Sequence, residues 1–298
     1  MTEEGKFSRA INKSRRESEQ SSEGGEESSR RGHLSQAYNS DAAAGTSRGI
    51  ERASISAGEP DGAVVMYHDK WGQAASEIRG MCHKLLGRIG DDRPKVITVT
   101  SGSRREGKTI MTFNLAVALS ETEEGRVLIL DSDLRGPGIY RLANMQPEAG
   151  LADILKEEVH LDGNICETKI PGVDIISSPK TCQLNGQQGL LSKRCRKLLG
   201  ELRQHYSFIL VDTPPVIASS ESRIFGKEGD GAVVVARLES TPREVVKRSV
   251  DELKNSGANV IGCMLTDRKH HVPDLLYRML GHSSANYYYE DYENEEEE

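Results

Sequence analysis

A loop with the spacing of a phosphate-binding site lies in the first half of the chain. Residues 102–109 read GSRREGKT, which fits the pattern G-x-x-x-x-G-K-[ST]. They follow the apolar run VITVT (96–100) and open a helical segment, the setting in which backbone N–H groups wrap a phosphate. Lys108 supplies a mobile cation and Thr109 a hydroxyl for Mg²⁺. The motif predicts a site for ATP and Mg²⁺ formed by Gly102, Ser103, Arg104, Arg105, Glu106, Gly107, Lys108, Thr109 and Ile110.

Acidic side chains follow two further apolar runs, at points where strands of an open α/β sheet would end. The run VLIL is followed by Asp131, Asp133 and Arg135, and Asp212 ends the run FILVD. A single acid after a strand is commonly a cap or turn residue. Here several such positions converge on the sheet edge that carries the phosphate loop, so we expect a catalytic site. Asp212 is expected to hold a magnesium-bound water, with Thr109 and Asp131 as further magnesium contacts.

Short β-branched runs alternate with helical segments through the middle of the chain. After VITVT the runs are VLILD (127–131), VDIIS (173–177), FILVD (208–212), AVVVA (232–236) and NVIGCML (259–265). Helices are predicted over 71–89, 108–120 and 190–203. Residues 241–244 have the form of a capping box, and Gly257 is placed to end the helix that follows. The alternation predicts an α/β fold with one doubly wound, mostly parallel sheet of the P-loop NTPase type.

Both ends of the chain are polar. Residues 1–62 are rich in Ser, Glu, Arg and Gly, which predicts a disordered arm. A single domain is predicted over 63–280. Residues 281–298 are predicted to form a flexible, acidic tail that carries a cluster of four tyrosines: Tyr287, Tyr288, Tyr289 and Tyr292.

The composition argues against several functional classes. The formal net charge of the 298 residues is −7, so binding to a nucleic-acid backbone is not expected. Five scattered cysteines without a C-x-x-C pair argue against zinc and disulfides and indicate a reducing cytosol. A polar N-terminus, and no apolar run near the roughly 20 residues of a spanning helix, predict a soluble protein without a signal peptide.

Three motifs together resemble a known family. SGSRREGKT, VLILDSDLRGPG and FILVDTPPV look like the Walker A, Walker A′ (D-x-D-x-R) and Walker B boxes of bacterial tyrosine kinases that accompany exopolysaccharide co-polymerases. The resemblance covers roughly residues 70–292, including PEAGLADIL after the second box and the terminal tyrosines. The N-terminal FSRAINKSRRE is similar to stand-alone members found with exosortase-linked polysaccharide clusters.

The resemblance implies an ATP-dependent tyrosine autokinase that phosphorylates its own C-terminal cluster and regulates exopolysaccharide synthesis and export. It assigns the proton-accepting role to Asp131, with Asp133 and Arg135 supporting metal and phosphate, and Lys108 and Asp212 completing the catalytic set. The implied partners are a transmembrane co-polymerase or chain-length subunit, further copies of the chain and a cognate tyrosine phosphatase. The implied location is cytoplasmic, at the inner face of the membrane.

Several positions depart from the family's pattern. Arg104 and Arg105 stand where the family usually has Pro-Gly, and Thr266 replaces an Asn near the end of the last strand. Glu77 and Arg79 are too close together for the oligomerisation motif E-x-x-R-x-x-R. Two alternatives remain open: a partitioning ATPase of the MinD and ParA type, and a non-catalytic nucleotide-binding regulator of export. Against the first, Ser103 occupies the position of that group's signature lysine.

Overall fold

The computed structural model describes residues 51–53, 55, 57–90, 95–122, 126–177 and 188–267. The strands are β1 (Arg52–Ala53), β2 (Lys95–Ser101), β3 (Val127–Asp131), β4 (Ile165–Glu167), β5 (Val173–Ile176), β6 (Phe208–Asp212), β7 (Gly231–Arg237) and β8 (Val260–Thr266). The helices are α1 (Val65–His68), α2 (Gln73–Ile89), α3 (Lys108–Ser120), α4 (Ile139–Leu142), α5 (Leu151–Leu155), α6 (Gln188–Leu202), α7 (Ser220–Glu228) and α8 (Arg243–Asn255).

The strands form one sheet, in the order β1-β4-β5-β3-β6-β2-β7-β8. Every neighbouring pair is parallel except β4 and β5. The three strands that precede the predicted site residues, β3, β6 and β2, are adjacent at the centre. In this register Asp131 lies opposite Asp212, and Asp212 lies opposite Val99 of β2. The parallel arrangement therefore brings the ends of these three strands to one edge, as the sequence predicts.

Helices cover both faces of the sheet. Alternate residues of β3 belong to different apolar clusters, with Val127 and Ile129 on the face covered by α2 and α3. Leu128 and Leu130 lie on the opposite face, with α5, α6 and α7. The phosphate-loop helix α3 is buried over most of its circumference, including Phe113. Burying one such large apolar side chain contributes about 1.5–3 kcal/mol, so the core holds β2 and α3 firmly at either end of the loop.

The six strands predicted from the sequence are all present, and the doubly wound α/β fold is confirmed. Two short strands, β1 and β4, were not predicted, because two or three residues carry no readable alternation. β1 pairs with β4, and the N–H of Gly58 donates to the carbonyl of Asn144 at 2.9 Å. The domain therefore includes residues on the N-terminal side of the boundary predicted at 63.

The capping box predicted at 241–244 is wrong. Helix α8 begins at Arg243 with Pro242 as its N-cap, and no side chain caps it. The Thr241 hydroxyl donates instead to the Glu106 carboxylate. Gly257 does follow the helix in a left-handed conformation with φ of 89°, as the sequence predicts.

A buried carboxylate ties the first strand to the sheet. Asp174 of β5 accepts hydrogen bonds from the hydroxyl of Tyr206 at 2.7 Å and from Arg52 Nη2 at 3.0 Å. Arg126 Nη2 lies 3.3 Å from the same oxygen. Burial, followed by the Asp174 carboxylate, raises the pKa of Tyr206 above its ordinary range. The tyrosine therefore stays neutral and acts as a donor.

Replacing Tyr206 with phenylalanine should lower the free energy of unfolding by about 1.5 kcal/mol, because a buried hydrogen bond to a charged acceptor is lost while the ring remains. Urea denaturation followed by circular dichroism measures this. Tyr67→Phe is the matched control, since the Tyr67 hydroxyl donates no hydrogen bond to another described residue. Equal midpoints for Tyr206→Phe and the control would contradict the prediction.

Candidate functional site

The phosphate loop spans the gap between β2 and α3, and its backbone requires special geometry. Gly107 precedes α3 with φ of 85°, and Arg105 also has a positive φ of 65°. A Cβ on Gly102 would lie 2.5 Å from Cγ1 of Val245 in α8, so only glycine permits this close approach. The glycines of the motif thus fit the loop tightly between its two elements and the neighbouring helix.

Lys108 extends from the start of α3 toward two carboxylates. Its Nζ lies 2.7 Å from Asp133 Oδ2 and 3.8 Å from Asp212 Oδ1, and 3.5 Å from the Thr109 hydroxyl. Burial by itself lowers the pKa of Lys108, but the charges of Asp212 and Asp133 outweigh it, and the net effect is a raised pKa. The lysine is therefore a fixed positive charge at the mouth of the loop.

Asp212 is fully buried, and neither of its carboxylate oxygens has a hydrogen-bond partner in the part of the chain that the structure describes. Burial raises its pKa, and Lys108 opposes that rise. Leaving a buried acceptor unpaired costs on the order of 1–3 kcal/mol, more when it is charged. Such an acceptor beside the Thr109 hydroxyl provides the oxygen ligands that Mg²⁺ prefers, so this donor set fits the metal.

The protein groups do not enclose a metal ion by themselves. Among the described ranges between 51 and 267, no three His, Cys, Asp or Glu side chains converge as metal ligands. Mg²⁺ is usually held by one or two protein groups together with substrate phosphates and water. The arrangement at Thr109 and Asp212 therefore suits a metal that arrives with a nucleotide.

Asp131 is also fully buried, but it is well supplied with donors. Its Oδ2 accepts hydrogen bonds from the Ser177 hydroxyl at 2.7 Å and from the N–H groups of Gly138 and Ile139, both at 3.1 Å. Burial, followed by the charge of Asp212, raises the pKa of Asp131 to about 7. Three donors on one oxygen leave Oδ1 as the atom available to a metal or a substrate. Oδ1 accepts a longer bond, 3.3 Å, from the Asp133 N–H.

The structure therefore brings together Lys108, Thr109, Asp131, Asp133 and Asp212. It does not bring Arg135 to them: that side chain is exposed and pairs with none of these residues in the described part of the chain. Ser103, Arg104, Arg105 and Ile110 are likewise exposed. The predicted phosphoacceptors Tyr287, Tyr288, Tyr289 and Tyr292 lie outside the described residues.

Sequence reasoning did not assign Ser177 to the site; it read Thr241 as part of a helix cap and noted Thr266 only as a departure from the family's pattern. Ser177 ends the predicted run VDIIS, and its position after a strand is the signal that could have indicated it. Thr266 donates a hydrogen bond to the Glu106 carbonyl at 2.7 Å. The contacts of Thr241 and Thr266 join residues more than a hundred positions apart, which no local pattern reports.

A phosphate loop between a central parallel strand and a buried helix, with a lysine and an unpaired aspartate at its mouth, defines a P-loop NTPase. The family model ParA, described as NUBPL iron-transfer P-loop NTPase, matches residues 93–266, which is more than half of the chain. The chain belongs to this family of P-loop NTPases.

Curated relatives carry more specific names. The chain is 32% identical over 193 residues to a putative tyrosine-protein kinase in the cps region of Klebsiella pneumoniae, an alignment covering 64% of this chain and 26% of that protein. It is 25% identical over 199 residues to the putative tyrosine-protein kinase CapB of Staphylococcus aureus, covering 66% of this chain and 86% of CapB. The chain thus corresponds to about a quarter of the first relative and to most of the second.

Solved structures share the fold. The kinase domain of Escherichia coli tyrosine kinase ETK superposes with a TM-score of 0.63 at 24% identity, over 70% of this chain and 84% of that one. The cell division ATPase MinD of Pyrococcus furiosus superposes with a TM-score of 0.51 at 22% identity, over 63% and 79%. At these identities the similarity establishes the fold alone, which both groups of proteins share.

Asp212→Asn should leave the stability of the nucleotide-free protein within about 1 kcal/mol of the wild type, because the amide removes both the desolvation penalty of the buried carboxylate and its attraction to Lys108. In a domain of this size about 1 kcal/mol corresponds to a change of about 2–4 °C in Tm. The same change should weaken binding of Mg-ADP at least about tenfold (a loss of about 1.4 kcal/mol). Thermal unfolding and calorimetry test the two effects. In excess chelator the two proteins should bind ADP equally, and equal affinity in Mg²⁺ would refute the metal role.

The raised pKa of Asp131 gives a signed dependence of stability on pH. Between about pH 4 and pH 7 the native state keeps a proton that the unfolded chain has released. The contribution to stability is therefore full below about pH 4 and is lost as the pH rises through about 7. From pH 5 to pH 8, the free energy of unfolding of Asp131→Asn should fall by about 2–3 kcal/mol less than that of the wild type.

Urea denaturation without nucleotide at pH 5, 6.5 and 8 measures this difference. Asp251→Asn, at an exposed position on α8, is the matched control and should follow the wild type. If the free energies of unfolding of wild type and Asp131→Asn change by the same amount between pH 5 and pH 8, Asp131 is not protonated in this range.

Proposed function

We propose that this chain is an ATP-dependent protein tyrosine kinase that phosphorylates the tyrosine cluster at its own C-terminus and regulates polysaccharide export. The observation that carries the proposal is the buried cluster at the phosphate loop, in which Lys108 lies between Asp133 and Asp212, whose oxygens accept no hydrogen bond from the described residues. The D-x-D-x-R sequence at 131–135 and the kinase names of the curated relatives support the same assignment.

The charges of the cluster suit phosphoryl transfer, in which catalysis is mostly positioning and charge neutralisation. Lys108 and the N–H groups of the loop would hold the β- and γ-phosphates of ATP. Thr109 and Asp212 would hold Mg²⁺, which when bound neutralises charge on the transferring group. Lys108 would exchange its contact with Asp133 for one with phosphate, which leaves the partly exposed Asp133 carboxylate facing the site.

The acceptor tyrosine must lose a proton as it attacks. In the proposed reaction its oxygen bonds to the γ-phosphorus, the bond to the ADP oxygen breaks, and the phenolic proton passes to a carboxylate. A tyrosine hydroxyl has a pKa near 10, and a proton acceptor works best with a pKa near the operating pH. Asp131, with its pKa raised to about 7, fits this role through Oδ1, since donors already occupy Oδ2.

The proposed partners follow from the relatives and from the chemistry. No helix in the described ranges is both long and apolar enough to span a bilayer. In the proposed system, a transmembrane co-polymerase subunit would hold the kinase at the inner face of the membrane, and further copies of the chain would join it there. Phosphotyrosine is stable to hydrolysis, so a cognate phosphatase would complete the cycle. The ParA family model and the similarity to MinD concern the P-loop NTPase fold that both groups share, whereas the names of the curated relatives favour the kinase.

Mass spectrometry of the purified full chain, with and without ATP and Mg²⁺, tests the proposal. Wild type should gain phosphate on Tyr287, Tyr288, Tyr289 or Tyr292, and Lys108→Met should lose at least about 100-fold of the rate, because the main cation on the transferring phosphate is gone. Lys247→Met, on the exposed side of α8, is the matched control and should keep the wild-type rate.

Circular dichroism of Lys108→Met shows whether the variant is folded. A folded Lys108→Met protein that phosphorylates at the wild-type rate would show that the site is wrongly assigned. A wild-type protein that binds Mg-ATP without forming phosphotyrosine would instead identify a nucleotide-binding regulator.

A further inference from the structure

The phosphate loop contains a buried carboxylate of its own. Glu106 lies between Arg105 and Gly107, and only 4% of its surface is exposed. A negative charge beside a polyphosphate is unfavourable, because like charges repel, and they repel more strongly inside a protein than in water. A buried glutamate at this position therefore needs a compensating interaction that holds its charge away from the phosphates.

Two donors hold that carboxylate. The N–H of Ser103, three residues earlier in the same loop, donates to Oε2 at 2.8 Å. The hydroxyl of Thr241 donates to Oε1 at 2.6 Å. Thr241 is itself fixed, because its oxygen accepts the N–H of Arg237 at 2.9 Å. The side chain thus connects the phosphate loop to the turn between β7 and α8.

The backbone of Glu106 is held from another side. The hydroxyl of Thr266, the last residue of β8, donates to the Glu106 carbonyl at 2.7 Å. A Cβ placed on Gly107 would lie 3.3 Å from Thr266 Cγ2, so the two elements are already in close contact. At the start of the loop the Ser101 hydroxyl donates to the Ser103 carbonyl at 2.7 Å. Side chains of β2, β8 and the β7–α8 turn thus all form hydrogen bonds with the loop, at Ser103 or Glu106.

We infer that Glu106 is a positioning residue for nucleotide binding, and that Thr241 is its partner. Glu106 turns the N–H of Ser103 away from the phosphates and fixes the conformation of the loop between its two ends. The remaining N–H groups and Lys108 are thereby positioned to surround a phosphate. The inference rests on the proposed nucleotide site and adds to it a role for a side chain that touches no phosphate.

The test is calorimetric titration of the full chain with Mg-ADP, which requires no catalysis. A hydrogen bond to a charged group is worth about 1.4 kcal/mol or more, so Thr241→Val should raise Kd about tenfold. Glu106→Ala should raise Kd at least as much. The double variant should be no weaker than Glu106→Ala, since the two changes remove one interaction. Thr122→Val is the matched control, because Thr122 also donates a hydroxyl hydrogen bond but lies just after α3, at the end of that helix away from the phosphate loop.

Two conservative variants separate positioning from a general loss of structure. Thr241→Ser keeps the hydroxyl and should bind Mg-ADP within about threefold of wild type. Glu106→Gln keeps an acceptor for the Ser103 N–H and a donor for the Thr241 oxygen, so it should also bind within about threefold or more tightly. A purely structural role would lower the Tm of Thr241→Val and leave its Kd at the wild-type value.

The inference is overturned if Thr241→Val and Glu106→Ala bind Mg-ADP as well as wild type, or if their effects on Kd multiply in the double variant. It is also overturned if Glu106→Ala binds more tightly, because the carboxylate would then act mainly by repelling phosphate. Wild-type binding of Mg-ADP without tyrosine phosphorylation would contradict the proposed kinase activity alone, since the comparison of Kd values decides the role of Glu106 independently.

Discussion

The arrangement of this domain depends on the burial of two aspartates side by side. The register of β3 and β6 puts Asp131 opposite Asp212, and both residues are fully buried. Two carboxylates buried side by side, away from water, favour protonation of one of them or the approach of a cation. Lys108 provides that cation from the start of α3. The position of the phosphate loop is therefore linked to the charge balance of the two central strands.

The two buried aspartates differ in the number of hydrogen bonds that their carboxylates accept. Asp131 accepts four hydrogen bonds and thereby fixes the turn that leads to Gly138 and Ile139. Asp212 accepts none from the described residues, and the nearby charge of Lys108 offsets part of its desolvation. Unfavourable features of this kind concentrate at functional sites, where a ligand removes them. The donors on Oδ2 thus hold Asp131 in place while leaving its Oδ1 to a substrate, and Asp212 keeps both of its oxygens for a ligand.

The sequence was sufficient to predict the six longer strands and the phosphate loop, because continuous apolar runs and a fixed glycine spacing are local signals. It also placed Asp131, Asp133 and Asp212 at one edge, since parallel strands end together. It failed where a contact joins distant parts of the chain. Thr241 has the local pattern of a helix cap, yet its oxygen accepts the N–H of Arg237 and its hydroxyl donates to the Glu106 carboxylate. Sequence reasoning also failed for Arg135, which is close to Asp133 in sequence but is exposed and lies outside the site.

The order of the strands determines how far from the phosphate loop the residues after β8 begin. The chain leaves the sheet at the end of β8, which is two strand positions, or about 10 Å, from β2 and the phosphate loop. About 20 residues separate Asp267 from Tyr287, and a chain of that length can extend to at most about 70 Å. In the proposed kinase, that number of residues would be enough for Tyr287 to reach the phosphate loop of its own molecule. A phosphorylation within one molecule would proceed at a rate independent of how dilute the protein is.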